Sequence, residues 1–578
     1  MEPHRVNGIL MQCPPLRNGA LTQCCGYAPR FHPFSGKDSR MTPPPLDTIE
    51  TVADRPLSAS FEENSSQIGL FLILLLLTIG GIYVAGELTA DLSDVRASSV
   101  WPFVLLGFAL LIALGFEFVN GFHDTANAVA TVIYTHSMPP HLAVAWSGIW
   151  NFIGVMLASG AVAFGIVALL PVELILQVSA GAGFAMVFAL LIAAILWNLG
   201  TWYLGLPSSS SHALIGSVIG VGITNQLMAA GSTNTSGVDW TQALNVGKSL
   251  LFSPLIGFSA AAFLLLIAMK ALPIDKLYKP PRGKTPPPLW IRGLLILTCT
   301  GVSFAHGSND GQKGMGLIML ILIGTVPTVY ALNRTVDVSY TPAFVETSTK
   351  SEAILQRYSK TAVPPADPRQ TVAEYIRTHE IRPDTLPALR ALSGMVRTQI
   401  ASYATVAQIP TEQTSNVRND MYLLGESLRW MDKTREPAFA RADRDILLHY
   451  KSLLDNATKY IPVWVKASVA IALGLGTMIG WKRIVVTVGE KIGKTHLSYG
   501  QGASAELVAM TTIGAADLFG LPVSTTQVLS SGVAGTMAAN RSGLQWQTVR
   551  SLALAWVMTL PASILLSGTL FWLFRHFA

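Results

Sequence analysis

Charge is what this chain has little of. Only 13% of its 578 residues are Asp, Glu, Lys or Arg, against about 25% in soluble proteins. Half are apolar and the mean hydropathy is +0.44. That deficit excludes a disordered or fibrous chain and a water-soluble core of this size, and points to many membrane spans. Cysteine is scarce too. Cys13, Cys24, Cys25 and Cys299 make no zinc-like pattern with histidine, so neither a disulfide scaffold nor a metal site is expected. The net charge of +6 is small, and no basic run alternates with aromatics, which argues against a nucleic-acid partner. A phosphate-cradling Gly-rich loop ending in Lys-Ser or Lys-Thr is missing. So is any nucleophile–base constellation. Neither an enzyme nor a cofactor is expected.

What is present is a series of apolar runs. Residues 1–67 are rich in Pro and Ser and read as a disordered cytoplasmic extension. Eleven runs follow, at 68–86, 101–135, 142–169, 178–198, 212–230, 249–270, 293–333, 462–480, 500–519, 526–545 and 549–574. Most approach the ~20 residues that a helix needs to cross the bilayer. Two, 101–135 and 293–333, are too long for one straight span and carry polar residues near their middle. The texture changes between 334 and 460, which holds 32 of the 74 charged residues. This stretch reads as a soluble, mostly helical insert, with a disordered loop as the alternative. It separates a first membrane part, 68–333, from the remainder, 461–578. Lys276, Lys279, Arg282, Lys284 and Arg292 mark one loop as cytoplasmic, and Lys482, Arg483, Lys491 and Lys494 another. Loops 87–100 and 231–246 read as external. Eleven crossings then place the N-terminus inside, and the C-terminus and the insert outside.

Two motif pairs recur. GFHDTANA (121–128) matches GSNDGQKG (307–314), and GLPSSSSH (205–212) matches GLPVSTTQ (520–527). Asp124 and Asp310 are 186 positions apart and Pro207 and Pro522 are 315 apart. The difference of 129 is about the length of the insert. The halves begin on opposite faces, as in an inverted-topology repeat, which is a plan common among secondary transporters. The expected fold is an all-α polytopic membrane protein of two inverted repeats, with broken and re-entrant helices.

A carboxylate deep in hydrocarbon is costly and faces a cavity, a cation or a proton path. Asp124 and Asp310 sit among Gly121, Asn120, Asn127, Gly307, Asn309 and Gly311, a composition expected to break each helix and bare its backbone. A buried polar contact between helices is the plainer alternative. Ser208–Ser211 follow Gly-Leu-Pro, and Ser524, Thr525 and Thr526 follow Gly-Leu-Pro-Val. Pro opens a helix and a hydroxyl caps it. Ordinary capping needs one hydroxyl, whereas several in a row, twice, fit a tetrahedral oxyanion held at two helix starts. Glu117, two turns before Asp124 on the same face, is a candidate proton relay. Glu506 lies in an apolar run where the first half has Leu191. His123, His306 and His212 adjoin the motifs and titrate near neutrality, although structural hydrogen bonds account for lone histidines equally well.

GFHDTANAVATVIYT, SFAHGSNDGQKGMG, LGLPSSSSHALIGS and FGLPVSTTQ resemble the signatures of the inorganic phosphate transporter (Pit) family in its proteobacterial low-affinity form. The resemblance covers nearly all of 101–333 and 462–574. It implies symport of inorganic phosphate across the cell inner membrane, in some members as a neutral complex with Mg or another divalent metal. H+ drives bacterial relatives and Na+ drives others, and a homodimer is plausible on family grounds. Carried over, Ser209, Ser210, Ser211, Ser524, Thr525 and Thr526 would hold phosphate oxygens. Asp124, Asn127, Asn309 and Asp310 would bind or balance the coupling cation. One position departs from the family pattern: Lys313 stands where the first copy has Asn127. An ammonium there would replace a bound cation, favouring H+ over Na+, unless it reaches to the membrane edge. Three rival readings stay open: a symporter for another oxyanion such as sulfate, an anion channel, or a receptor acting through the insert.

Overall fold

The computed structural model describes residues 67–577 except 94, 96–99, 125, 168, 170–180, 229–237, 239, 282, 284 and 360–362. The expected N-terminal extension with Cys13, Cys24 and Cys25, and much of loops 87–100 and 231–246, lie outside the described residues. Among those described the chain is helical, with one isolated bridge between Gly493 and Leu544. The first half comprises α1 (Gln67–Leu92), α2 (Trp101–Asp124), α3 (Ala126–Tyr134), α4 (Pro140–Leu157) and α5 (Ala161–Val167). It continues with α6 (Gly181–Tyr203), α7 (Ser210–Met228) and α8 (Trp240–Ala271), and the second half opens with α9 (Leu289–Thr325). After the charged stretch come α15 (Val463–Met478), α16 (Tyr499–Leu518), α17 (Thr525–Ala539) and α18 (Trp546–Phe577).

Among the described residues, seven helical segments are long and apolar enough to cross a membrane: 73–92, 101–134, 140–157, 183–203, 243–271, 289–325 and 546–576. This is a multi-pass architecture. Large apolar side chains on their outer faces, among them Phe71, Ile82, Phe263 and Val557, are exposed as lipid contact requires. Four of the eleven apolar runs do not reach that standard alone. They correspond to α7, α15, α16 and α17, which are shorter or richer in Ser, Thr, Gly and acidic residues. At ~1.5 Å per residue, the 15 residues of α17 cover only part of the hydrocarbon.

Packing is exchanged between the two motif-bearing halves. Helix α17 lies along α8 while α7 lies along α18; α9 lies along α4 while α15 lies along α2. Small residues permit these close approaches, which in a membrane stand in for hydrophobic burial. A Cβ on Gly220 would strike the Ile564 carbonyl and Ser567 of α18, and one on Gly535 would strike the Phe258 backbone of α8. The matched pair Gly121 and Gly307 does the same against the backbones of Leu473 and Asn151.

One expectation fails here. The stretch 307–314 does not break its helix: α9 runs unbroken for 37 residues through Asp310. Its glycines serve packing instead. Gly307 meets Asn151, Gly311 meets Val155, Gly314 meets Glu117 and Gly316 meets the Ala163 backbone. In the first copy, residue 125 between α2 and α3 lies outside the described residues, and the two helices together make up the apolar segment 101–134.

Residues 340–458 form α10 (Tyr340–Tyr358), α11 (Pro368–Thr378), α12 (Thr385–Ala401), α13 (Thr411–Thr434) and α14 (Arg441–Thr458). They surround a core of their own that includes Phe344, Leu392, Val396, Met421 and Leu454. Helix α14 shows why they fold. Leu447, Tyr450, Leu453, Leu454 and Ala457 recur at helical spacing and are buried, each large one contributing about 1.5–3 kcal/mol. Asp367 caps α11 by accepting from the Gln370 N–H, with Pro368 in the first turn.

Candidate functional site

The two Gly-Leu-Pro motifs have the same backbone. Helix α6 closes at Gly205, whose φ of +67° is left-handed, with the Leu206 N–H reaching the Thr201 carbonyl at 2.9 Å. Helix α16 closes at Gly520, φ +64°, with the Leu521 N–H reaching the Ala516 carbonyl at 2.9 Å. A side chain other than glycine is strained in this helix-ending geometry. Pro207 and Pro522 then prevent continuation. Ser209 accepts from the His212 N–H at 3.2 Å to start α7, and Ser524 accepts from the Gln527 N–H at 3.2 Å to start α17. Both hydroxyl clusters therefore sit at helix N-termini, as the sequence predicts.

The clusters meet at Asp124. Ser210 Oγ donates to Asp124 Oδ2 at 2.9 Å, and Thr526 Oγ1 donates to Asp124 Oδ1. Ser211 Oγ donates to the Val523 carbonyl at 2.8 Å, tying the first cluster to the second motif directly. Asp124, Ser209, Ser210, Ser211, Ser524, Thr525 and Thr526 are all at most 2% exposed. Hydrogen bonds to an ionised group are worth about 1.5–3 kcal/mol each, so this junction is a strong one.

Asp310 belongs to the same group. His306 Nε2 lies 3.9 Å from Asp124 Oδ2 and 3.4 Å from Asp310 Oδ2, and Lys313 Nζ lies 2.7 Å from Asp310 Oδ2. One ligand atom each from Asp124, His306 and Asp310 fall within 4.8 Å of one another. Lys313 is fully buried; it faces the group and does not extend to the membrane edge. Glu117 is buried against the Cα of Gly314 and accepts from Asn120 at 3.3 Å. It lies within the field of Lys313, Asp310 and His306.

Of the remaining expected residues, Asn309 donates to the Leu521 carbonyl at 3.2 Å, linking α9 to the second motif. Asn127 is in α3 with its side chain outside the described residues. Glu506 accepts from Thr298 at 2.5 Å, with Thr131 as its other neighbour; these contacts are not with the Asp124–Asp310 group. His123 Nδ1 stands 3.2 Å from Asp124 Oδ1 and its Nε2 3.3 Å from Thr201 Oγ1. His212 Nδ1 is buried and unpaired, as are Asn309 Oδ1 and Thr525 Oγ1. Orphaned buried polar atoms are costly unless a ligand uses them.

Sequence reasoning missed two participants. Asn151 Oδ1 holds His306 Nδ1 at 2.6 Å and so orients the ring toward the carboxylates. Asp517 accepts from Ser308 at 2.6 Å and Gln312 at 2.5 Å, fastening the end of α16 to α9. A lone Asn in an apolar helix and an acid three residues before Gly520 were the available signals.

Comparisons with known proteins agree on one family. Residues 120–567 match the family described as "Phosphate transporter family". The chain is 43% identical over 510 residues to "Low-affinity inorganic phosphate transporter PitA" of Escherichia coli (strain K12), covering 82% of this chain and 97% of that one. It is 39% identical over 497 residues to "Low-affinity inorganic phosphate transporter" of Buchnera aphidicola subsp. Acyrthosiphon pisum (strain APS), covering 81% and 96%. A solved structure, "The sodium-dependent phosphate transporter", aligns with 82% of this chain and 100% of that one, at 17% identity and a TM-score of 0.45.

Proposed function

The chain belongs to the phosphate transporter family, and from that premise we propose that it imports inorganic phosphate by cation-coupled symport across the cell inner membrane. The relatives' names support transport of inorganic phosphate by this chain in place of chemistry upon it. One observation carries the reading of the site: Asp124 accepts from Ser210 of one cluster and Thr526 of the other. A carboxylate held by two such hydroxyls is a small version of the contact that a phosphate, with more oxygens, makes with Ser209–Ser211 and Ser524–Thr526. Unpaired Thr525 Oγ1 and Asn309 Oδ1 supply further polar contacts to a polar ligand.

The exchanged packing of α7 with α18 and α17 with α8 is what a two-fold relation between the halves requires. It supports alternating access about a shared centre, with the insert on the external side. Asp124, Asp310, Asn309 and Asn127 serve the coupling cation, and the same carboxylates suit a divalent metal accompanying phosphate. Lys313, at 2.7 Å from Asp310, supplies a tethered positive charge in the second copy. The coupling ion is accordingly H+, with Glu117 as a further proton acceptor within the field of Lys313 and Asp310.

The test is uptake of labelled phosphate into proteoliposomes, with pH, sodium and magnesium varied separately. Accumulation that follows an inward proton gradient without sodium is expected. Uptake that merely follows the electrical potential would replace a symporter with a channel, and strong competition by sulfate would change the substrate.

A further inference from the structure

A large cavity, about 1180 Å³, lies between the insert and the membrane helices. Its membrane side is lined by Ser249 and Ser253 of α8 and by Gly520, Leu521 and Val523, the backbone that leads directly into Ser524. Ser249 Oγ donates to the Pro522 carbonyl at 3.2 Å, and Val523 carries the hydroxyl of Ser211 on its carbonyl. The inner end of this cavity is thus the outer surface of the second hydroxyl motif.

Its other side is cationic. Among the described residues, Arg429, Lys433, Lys451 and Lys459 of the insert, together with Lys248 of α8, face it with Glu426 and Asp455 as the acids. That leaves an excess of three positive charges. The ion pairs of these groups run between insert residues: Arg429 with Glu426 at 2.6 Å, Lys451 with Asp455 at 2.6 Å, and Lys459 with both acids at 3.4 and 3.0 Å. Arg429 and Lys433 are further set on the Trp430 ring, at 4.9 and 4.3 Å. A concave, low-dielectric wall of one sign focuses its field and raises the local concentration of the opposite charge.

We propose that this cavity is an anion vestibule, in which the insert gathers the oxyanion and delivers it to the second hydroxyl motif. This rests on the transport reading above, because an anion collected here is useful only if it moves on through Ser524–Thr526.

The experiment measures phosphate uptake by the full chain in proteoliposomes at several salt concentrations. In a Lys248→Gln, Lys433→Gln, Lys451→Gln variant, KM for phosphate is expected to rise about fivefold or more at low salt with the maximal rate kept. The difference should shrink as the Debye length falls toward ~3 Å at 1 M salt. Lys350→Gln with Lys279→Gln, which removes two exposed charges elsewhere, should change nothing. Asp455→Asn makes the wall more positive and should lower KM, whereas a group that only held the insert in place would raise it or abolish uptake. An unchanged KM and salt slope in the triple variant, or a raised KM in Asp455→Asn, overturns the vestibule while wild-type uptake leaves the transport reading standing. Should the wild type carry sulfate in place of phosphate, that reading changes and the same KM comparison, made with sulfate, decides the vestibule.

Discussion

Thr526 donates its hydroxyl hydrogen to Asp124 across 402 positions of sequence. It is the contact that closes the two halves of the molecule onto one carboxylate. Thr526→Val keeps the shape and removes the donor, and losing a hydrogen bond to a charged group costs about 1.5–3 kcal/mol. Phosphate kcat/KM should fall by roughly 10- to 150-fold. Thr526→Ser should restore most of it, and uptake kinetics of the two variants side by side make the check.

Lys313 and Asp310 are both fully buried and 2.7 Å apart. Removing one partner of such a pair leaves an uncompensated charge, at a cost of about 3–5 kcal/mol. Lys313→Met should therefore express poorly or melt early. Lys313→Asn restores the residue of the first copy and is expected to gain sodium-stimulated uptake. An unchanged dependence on both pH and sodium in that variant would remove the tethered-cation idea.

Glycines of α9 should split by environment. A Cβ on Gly307 would meet the backbone of Asn151, whereas one on Gly293 meets nothing within 4 Å. Gly307→Ala is expected to push α4 from α9 and destabilise by about 1–3 kcal/mol. Gly293→Ala should be neutral or stabilise by up to ~1 kcal/mol through helix propensity. Thermal melts of the purified protein in detergent distinguish the two signs.

In the insert, burial of the Glu426 carboxyl acts to raise its pKa, but Lys459 and Arg429 outweigh it and hold it below the usual carboxylate value. A depressed folded-state pKa contributes stability above the unfolded value, and this is lost as pH falls through the lowered one. Protection of the α13 and α14 amides from hydrogen exchange, corrected for the intrinsic rate, should therefore fall on acidification below about pH 4. Glu426→Gln should already exchange faster at neutral pH and respond less to acid.

The sequence carries the helices, the paired motifs and the hydroxyl clusters plainly, because apolar length and Gly-Leu-Pro followed by hydroxyls are local signals. Asp310 marks the limit. Gly307, Asn309 and Gly311 read as helix breakers, yet α9 stays whole, because α4 comes so close to Gly307 and Gly311 that only glycine fits there. A linear sequence does not distinguish a glycine that bends from one that makes room. Glu506 is a different case: its partner Thr298 is 208 residues away, and nothing local reveals that contact. His306 was visible, but its role between two carboxylates depends on Asn151, which the motif pairs do not include.

The crosswise packing of α7 on α18 and α17 on α8 bears on how the molecule can be divided. Neither half owns a mate for its own glycine-faced helix, so each synthesised alone should be degraded. Two polypeptides produced together after a cut within the insert should find each other and regain uptake, whereas a tandem of the first half with itself should not. Complementation is thereby written into the connectivity, with the charged stretch as the seam where the chain can be cut.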